Sequence, residues 1–140
     1  MSLNTEPAYQ DILARLKTLT GVTILEVEDD DQVKRKGSEV VPYVIFSLGG
    51  PVRSGRDRGI AGSARDTNQM WANLTCVSTN NAVARKLKNA VVTLLTDYVP
   101  TDSGRMTLEG GLQYPIASTT TMPKRYAHYL TMAFAHNMQV

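Results

Sequence analysis

The stretch from Gly49 to Asp66, GGPVRSGRDRGIAGSARD, constrains this chain more than any other. It holds five glycines, four arginines (Arg53, Arg56, Arg58 and Arg65) and little that could be buried. Strand-like apolar runs flank it, VVPYVIFSL before and MWANLTCV after. Connections this long without structure of their own are uncommon inside small domains, and are usually functional or disordered. Two strands joined this way make a hairpin whose long loop projects from the body. A basic arm on a small sheet suits assembly, or contact with a polyanion, better than catalysis. Arginine dominates it, and its planar fork pairs bidentately with carboxylates of a neighbouring subunit or with phosphates.

The chain of 140 residues is read as one domain, 1–140, long enough for a real core. Its 42% apolar and 20% charged residues are ordinary for a globular protein. The net charge of +2 is too small for a bulk nucleic-acid binder. The charge is instead local, because the segment sets four arginines against Asp57 and Asp66, a surplus equal to that of the whole protein. The lone Cys76 rules out an internal disulfide and suits a reducing compartment. MSLNTEPAYQ has neither the basic start nor the apolar centre of a secretory signal. No apolar run approaches the roughly 20 residues of a membrane span. No membrane contact and a cytoplasmic site of synthesis are expected.

Thr5, Glu6 and Pro7 predict the start of a first helix. Its apolar face is Tyr9, Ile12, Leu13, Leu16 and Leu19, and Gly21 ends it. Val22–Val27 predicts a strand. Glu28–Glu39 predicts a solvated turn, its triplet Asp29-Asp30-Asp31 included. Val40–Leu48 and Thr67–Val77 predict the two strands of the hairpin, with Met70, Ala72, Leu74 and Cys76 on one face. A second helix, capped by Ser78 or Thr79, is expected to reach Tyr98. Its buried stripe is Val83, Leu87, Ala90, Val91, Leu94 and Leu95, with Arg85, Lys86 and Lys88 outside. Arg105–Leu108, Leu112–Ser118 and Tyr126–His136 predict three further strands. Runs of strands with two segregated helices imply an α+β fold: a mainly antiparallel sheet with both helices packed on one face.

The chain offers little chemistry. His128 and His136 are the two histidines, eight residues apart on one strand face, too far apart to share a metal. Both read as partly exposed or hydrogen-bonded sheet residues. Cys76, beside Leu74, reads as a small buried side chain. Ser54 and Ser103 lie outside any nucleophile-elbow frame, and no nucleotide, zinc-protease or calcium-loop pattern occurs. G-x-x-x-x-G recurs from Gly50 to Gly55, but no Gly-Lys-Ser/Thr follows and no helix begins there. No enzymatic activity, cofactor or metal is expected.

Pro42 to Asp102 carries a recognisable order. PYVIFSLGGPVRSGRDRGIAG leads to a strand ending WANLTCVSTN, then to NAVARKLKNAVVTLL and YVPTD. This resembles the tail terminator proteins of long-tailed bacteriophages: strand with P-[YF]-[VI], loop with Gly and Arg, strand of form W-x-x-x-T-C-V, then a helix ending near proline. The resemblance implies a virion structural protein of the tail and neck, assembled in the host cytoplasm. It implies a ring, usually hexameric, that caps the head-proximal end of the tail tube, stops its polymerisation and mediates head-tail joining. The partners implied are further copies of the chain, the major tail tube protein and the head-side connector or stopper. DNA passes through the lumen without sequence-specific binding. The family has no catalytic residues to carry over, its loops vary too much to assign the arginines a contact, and the histidines match nothing in its pattern. The residues expected at assembly interfaces are Arg53, Arg56, Arg58, Arg65 and Trp71. Another neck component, a head-tail stopper or tail completion protein, shares most of these features. A small nucleic-acid-binding module using the arginines is a more distant alternative, because no aromatic residue interleaves with them to stack bases.

Overall fold

The computed structural model describes residues 5–53, 67–111, 114–118 and 123–137. Helix α1 spans Glu6–Leu16, with Pro7 in its first turn. Ala8, Ile12 and Leu16 point inward from it, and Tyr9 stacks on Phe46 with ring centroids 5.2 Å apart. β1 (Thr23–Leu25) follows, then a 3-10 turn (Asp30–Gln32) and a small ribbon of β2 (Arg35–Lys36) and β3 (Glu39–Val40). The two long strands are β4 (Tyr43–Arg53) and β5 (Thr67–Ser78). Helix α2 spans Asn81–Leu95, and β6 (Thr107–Gly110), β7 (Ile116–Ala117) and β8 (Tyr126–Asn137) complete the order.

The main sheet runs β1-β4-β5-β8-β6, with β7 also paired to β8. The register explains the alternation in the sequence. Phe46, Leu74 and Leu130 lie side by side across three strands, as do Leu48, Ala72 and Met132. With Cys76, Met70 and Phe134 they face the helices and form one core with Ile12, Leu16, Leu87, Val91 and Leu95. This is an α+β fold with both helices on one face of a mainly antiparallel sheet. A smaller cluster, Leu25, Val33, Val40, Tyr43 and Val77, lies on the opposite face beneath the β1–β4 connection.

Several boundaries differ from expectation, each for a local reason. β1 covers half of Val22–Val27 and runs parallel to β4. Parallel neighbours need a crossover of a dozen or more residues, and residues 26–42 supply it. That connection is mostly exposed, as expected of a solvated turn, but Val33 and, at its end, Val40 are buried and anchor it to the sheet. β4 does not stop at Leu48. It passes through a register shift between Gly49 and Val52 and continues to Arg53. Gly50 takes φ +93° there, a bulge conformation open to glycine, and Pro51 is tolerated where β4 has no partner on its β1 side. Gly49–Arg53 thus belong to the hairpin's stem, while 54–66 lie outside the described residues.

Asn80, not Ser78 or Thr79, caps α2: its Oδ1 accepts from Ala82 N at 2.9 Å and Val83 N at 3.3 Å. The helix ends at Leu95 rather than Tyr98, because Asp97 adopts φ +67° and its N–H turns to Met106 O at 2.9 Å. Ala84, Leu87, Val91 and Leu95 are buried. Leu94 is half-buried, Val83 and Ala90 are exposed, and Lys88 is half-buried rather than outside.

Candidate assembly site

Arg53 closes β4, where it pairs with Asn68 of β5; Asn68 in turn pairs with His136 of β8. The hairpin therefore delivers the start of the basic segment to one end of the sheet. Arg56, Arg58 and Arg65 lie outside the described residues. Trp71 sits three residues further along β5, between Gly49 and Ala133, on the face turned away from the helices. That face continues through Asn73 and Thr131, then Thr75 and Tyr129. Trp71, Thr75, Tyr129 and Thr131 are half-buried and Asn73 is exposed. The structure thus places Arg53 and Trp71 at the same end of one hairpin, with Arg53 at its limit and Trp71, half-buried, on a face that no described element covers there.

The other half of that face is covered by the β1–β4 connection, and a side chain missed from the sequence holds it there. Arg125 is 5% exposed. Its Nη2 donates to Asp30 Oδ1 at 2.5 Å and its Nη1 to the Tyr43 hydroxyl at 3.2 Å. Its Nε is buried without a hydrogen-bond partner. The Arg125 hydrogen bond, then its charge, holds the Asp30 carboxyl below the usual carboxylate range. Burial works against the charged guanidinium, but Asp30 and Tyr43 more than offset it and Arg125 stays protonated. Asp29 acts separately, its Oδ1 accepting from Asp31 N at 3.0 Å to cap the 3-10 turn. Within the turn, where Asp30 and Asp31 are exposed, Asp30 alone thus latches the connection to Arg125. The signal in the sequence was weak, a lone arginine just before an alternating strand and three acids 95 residues away.

Beside the latch is an open cavity of about 250 Å³ lined by Glu28, Thr75, Ser118, Arg125 and Tyr129, with Ile116 at one wall. Asp30 already answers the cation, and Glu28 adds a further carboxylate. Among the described residues lining the cavity, none pairs a nucleophile with a base.

The histidines are both buried and hydrogen-bonded. His128 Nε2 lies 2.9 Å from Asn81 Oδ1, and His136 Nδ1 lies 2.9 Å from Ser103 Oγ. Ser103 Oγ also lies 3.0 Å from the Thr101 carbonyl, to which it donates. The contact fastens the end of β8 to the turn before β6. Burial first, then Lys88 and Arg85, lowers the His128 pKa. Cys76 is fully buried, and burial pushes its thiol up to about 12, so it is inert packing. Among the described residues no three His, Cys, Asp or Glu converge as metal ligands, and no helix is long and apolar enough to cross a membrane. No protein-family model matches the chain, and neither does any curated protein.

Proposed function

We propose that the chain is a structural subunit of a long-tailed bacteriophage neck, a tail terminator. Copies of it close into a ring on the head-proximal end of the tail tube, stop tube growth and present a surface to the head-side connector. The observation that carries this reading is the β4–β5–α2 unit. The two segments that hold the resemblance pair as strands of 11 and 12 residues around the arginine-rich connection, and the capped helix follows directly. Strand, basic connection, strand and helix stand in the order that the resemblance requires. The sheet face around Trp71 and Tyr129, half-buried and covered by no described element, adds a surface suited to contact with other subunits.

The test is genetic and morphological. Phage lacking this chain are expected to give unjoined heads and tails of irregular or excess length in negative stain. Purified chain added to such an extract is expected to restore joined particles. Tails of normal length joined to heads in its absence would overturn the assignment.

A further inference from the structure

Helical periodicity places Val83, Leu87 and Ala90 on one apolar stripe of α2, yet the subunit covers just one of them. Leu87 is buried, Ala90 is exposed and Val83 is 39% exposed. The cause is the length of α1. It ends at Leu16, and it meets α2 near that helix's far end, where Arg15 Nε donates to the Leu94 carbonyl at 2.8 Å. Earlier along α2 a groove of about 370 Å³ stays open, between Val83, Leu87 and Ala90 and the opposing Leu19, Val22 and Pro42. The exposed Lys86 also lines it. The groove adjoins the β1 side of the sheet, since the Pro42 carbonyl accepts the Thr23 N–H at 3.0 Å.

The opposite end of the sheet carries an unlike surface. β6 is the last strand, and all four of its residues are exposed. Leu108 is 50% exposed there and the exposed acid Glu109 follows it.

We propose that the groove of one copy receives Leu108 of a second copy, with Lys86 paired to that copy's Glu109. The inference deepens the ring reading above and rests on it. Three observations carry it. The charges at the two surfaces are opposite, Lys86 against Glu109. The surfaces differ and lie at opposite ends of the sheet, so the contact is head-to-tail, the kind of contact that a ring of identical subunits repeats. It also covers Val83 and Ala90, two side chains that the helix pattern places with the core but the single subunit leaves open.

The test uses the full chain with Cys76→Ser as background. Val83→Cys and Leu108→Cys together are expected to give, on mild oxidation, a ladder of cross-linked species on a denaturing gel. Each cysteine alone gives dimers at most, because one chain then carries one half of the contact. Lys86→Glu or Glu109→Lys is expected to raise the concentration for half-assembly about tenfold in sedimentation, as loss of roughly 1.4 kcal/mol of contact would. The double reversal is expected to recover most of that loss, with the melting temperature unchanged throughout. If the wild-type chain forms a ring but the cysteine pair yields no ladder and neither reversal changes assembly, this contact is overturned and the terminator reading stands. A cross-linked ring from a phage whose tails are normal without the chain upholds the contact and removes that reading. A wild-type chain that stays monomeric overturns both.

Discussion

His128 shows how one buried side chain links local packing to solution conditions. It lies on β8 opposite Cys76, donates to Asn81 and faces Lys88 and Arg85 of α2. Desolvation and two neighbouring cations all favour the neutral ring, so the folded-state pKa lies below its usual value. The unfolded chain then binds more protons than the folded one as pH falls. Stability is fully present above the unfolded value near 6.5 and is lost as pH drops through the lower folded value. Urea midpoints are expected to fall between about pH 7 and pH 5, and His128→Gln to flatten that slope. An equal slope in both proteins would place the titration elsewhere. Gly111 is constrained by space instead. A Cβ there would lie 2.2 Å from Tyr129 O and 2.8 Å from Leu130 Cα, both backbone atoms that cannot swing aside. Gly111→Ala must push β6 off β8 and is expected to cost about 1–3 kcal/mol in denaturant melts, the range for overpacking. A cost near zero would mean that the β6–β7 connection relaxes freely.

At the scale of elements, helix α2 states its inward face most plainly. Leu87 is buried among the strands, while Lys86 beside it is exposed. Leu87→Asp is expected to unfold the subunit, because an unpaired buried carboxylate costs several kcal/mol, on the order of a small domain's stability. Lys86→Ala is expected to leave the melting temperature of the subunit unchanged, whatever it does to assembly. Asn80→Ala, by removing a cap that satisfies two N–H groups, is expected to cost about 1 kcal/mol. A folded, unshifted Leu87→Asp protein would mean that the helix faces the other way. These elements were legible because their signals are local: a 3.6-residue stripe in α2 and strict alternation in β5 and β8. The errors came where a signal is nonlocal. Pairing of β1 with β4 depends on what residues 26–42 do in space, and no local pattern announces a parallel partner. The Arg125–Asp30 latch depends on register across the sheet, which propensity does not encode. At Asn80 two other capping residues, Ser78 and Thr79, preceded the one used, and only hydrogen-bond geometry separates them.

For the whole molecule, the sheet is a partition with unequal coverings. One face is sealed by both helices; the other is sealed near β1 by the latched connection and, among the described residues, left open toward Trp71. The hairpin then carries the chain past Trp71 to Arg53, where the basic segment begins. The architecture separates folding from contact, since among the described residues neither core draws on the chain from Arg53 until Met70. Replacing Arg53, Arg56 and Arg58 by alanine is therefore expected to leave the circular-dichroism melt unchanged. If these arginines hold subunits or tube together, assembly fails instead, because interfaces concentrate their energy in a few residues, each worth about 2 kcal/mol or more when truncated. Lysine at the same positions should rescue poorly, since it keeps the charge but lacks the planar fork that grips a carboxylate. Sedimentation of the triple variant and negative-stain images of tails made with it read both effects. Normal rings on tails of normal length would make the segment a bystander. Rings that form but leave heads unjoined would assign the arginines to the head-side connector, and a chain that sediments as a monomer would assign them to the contact between subunits.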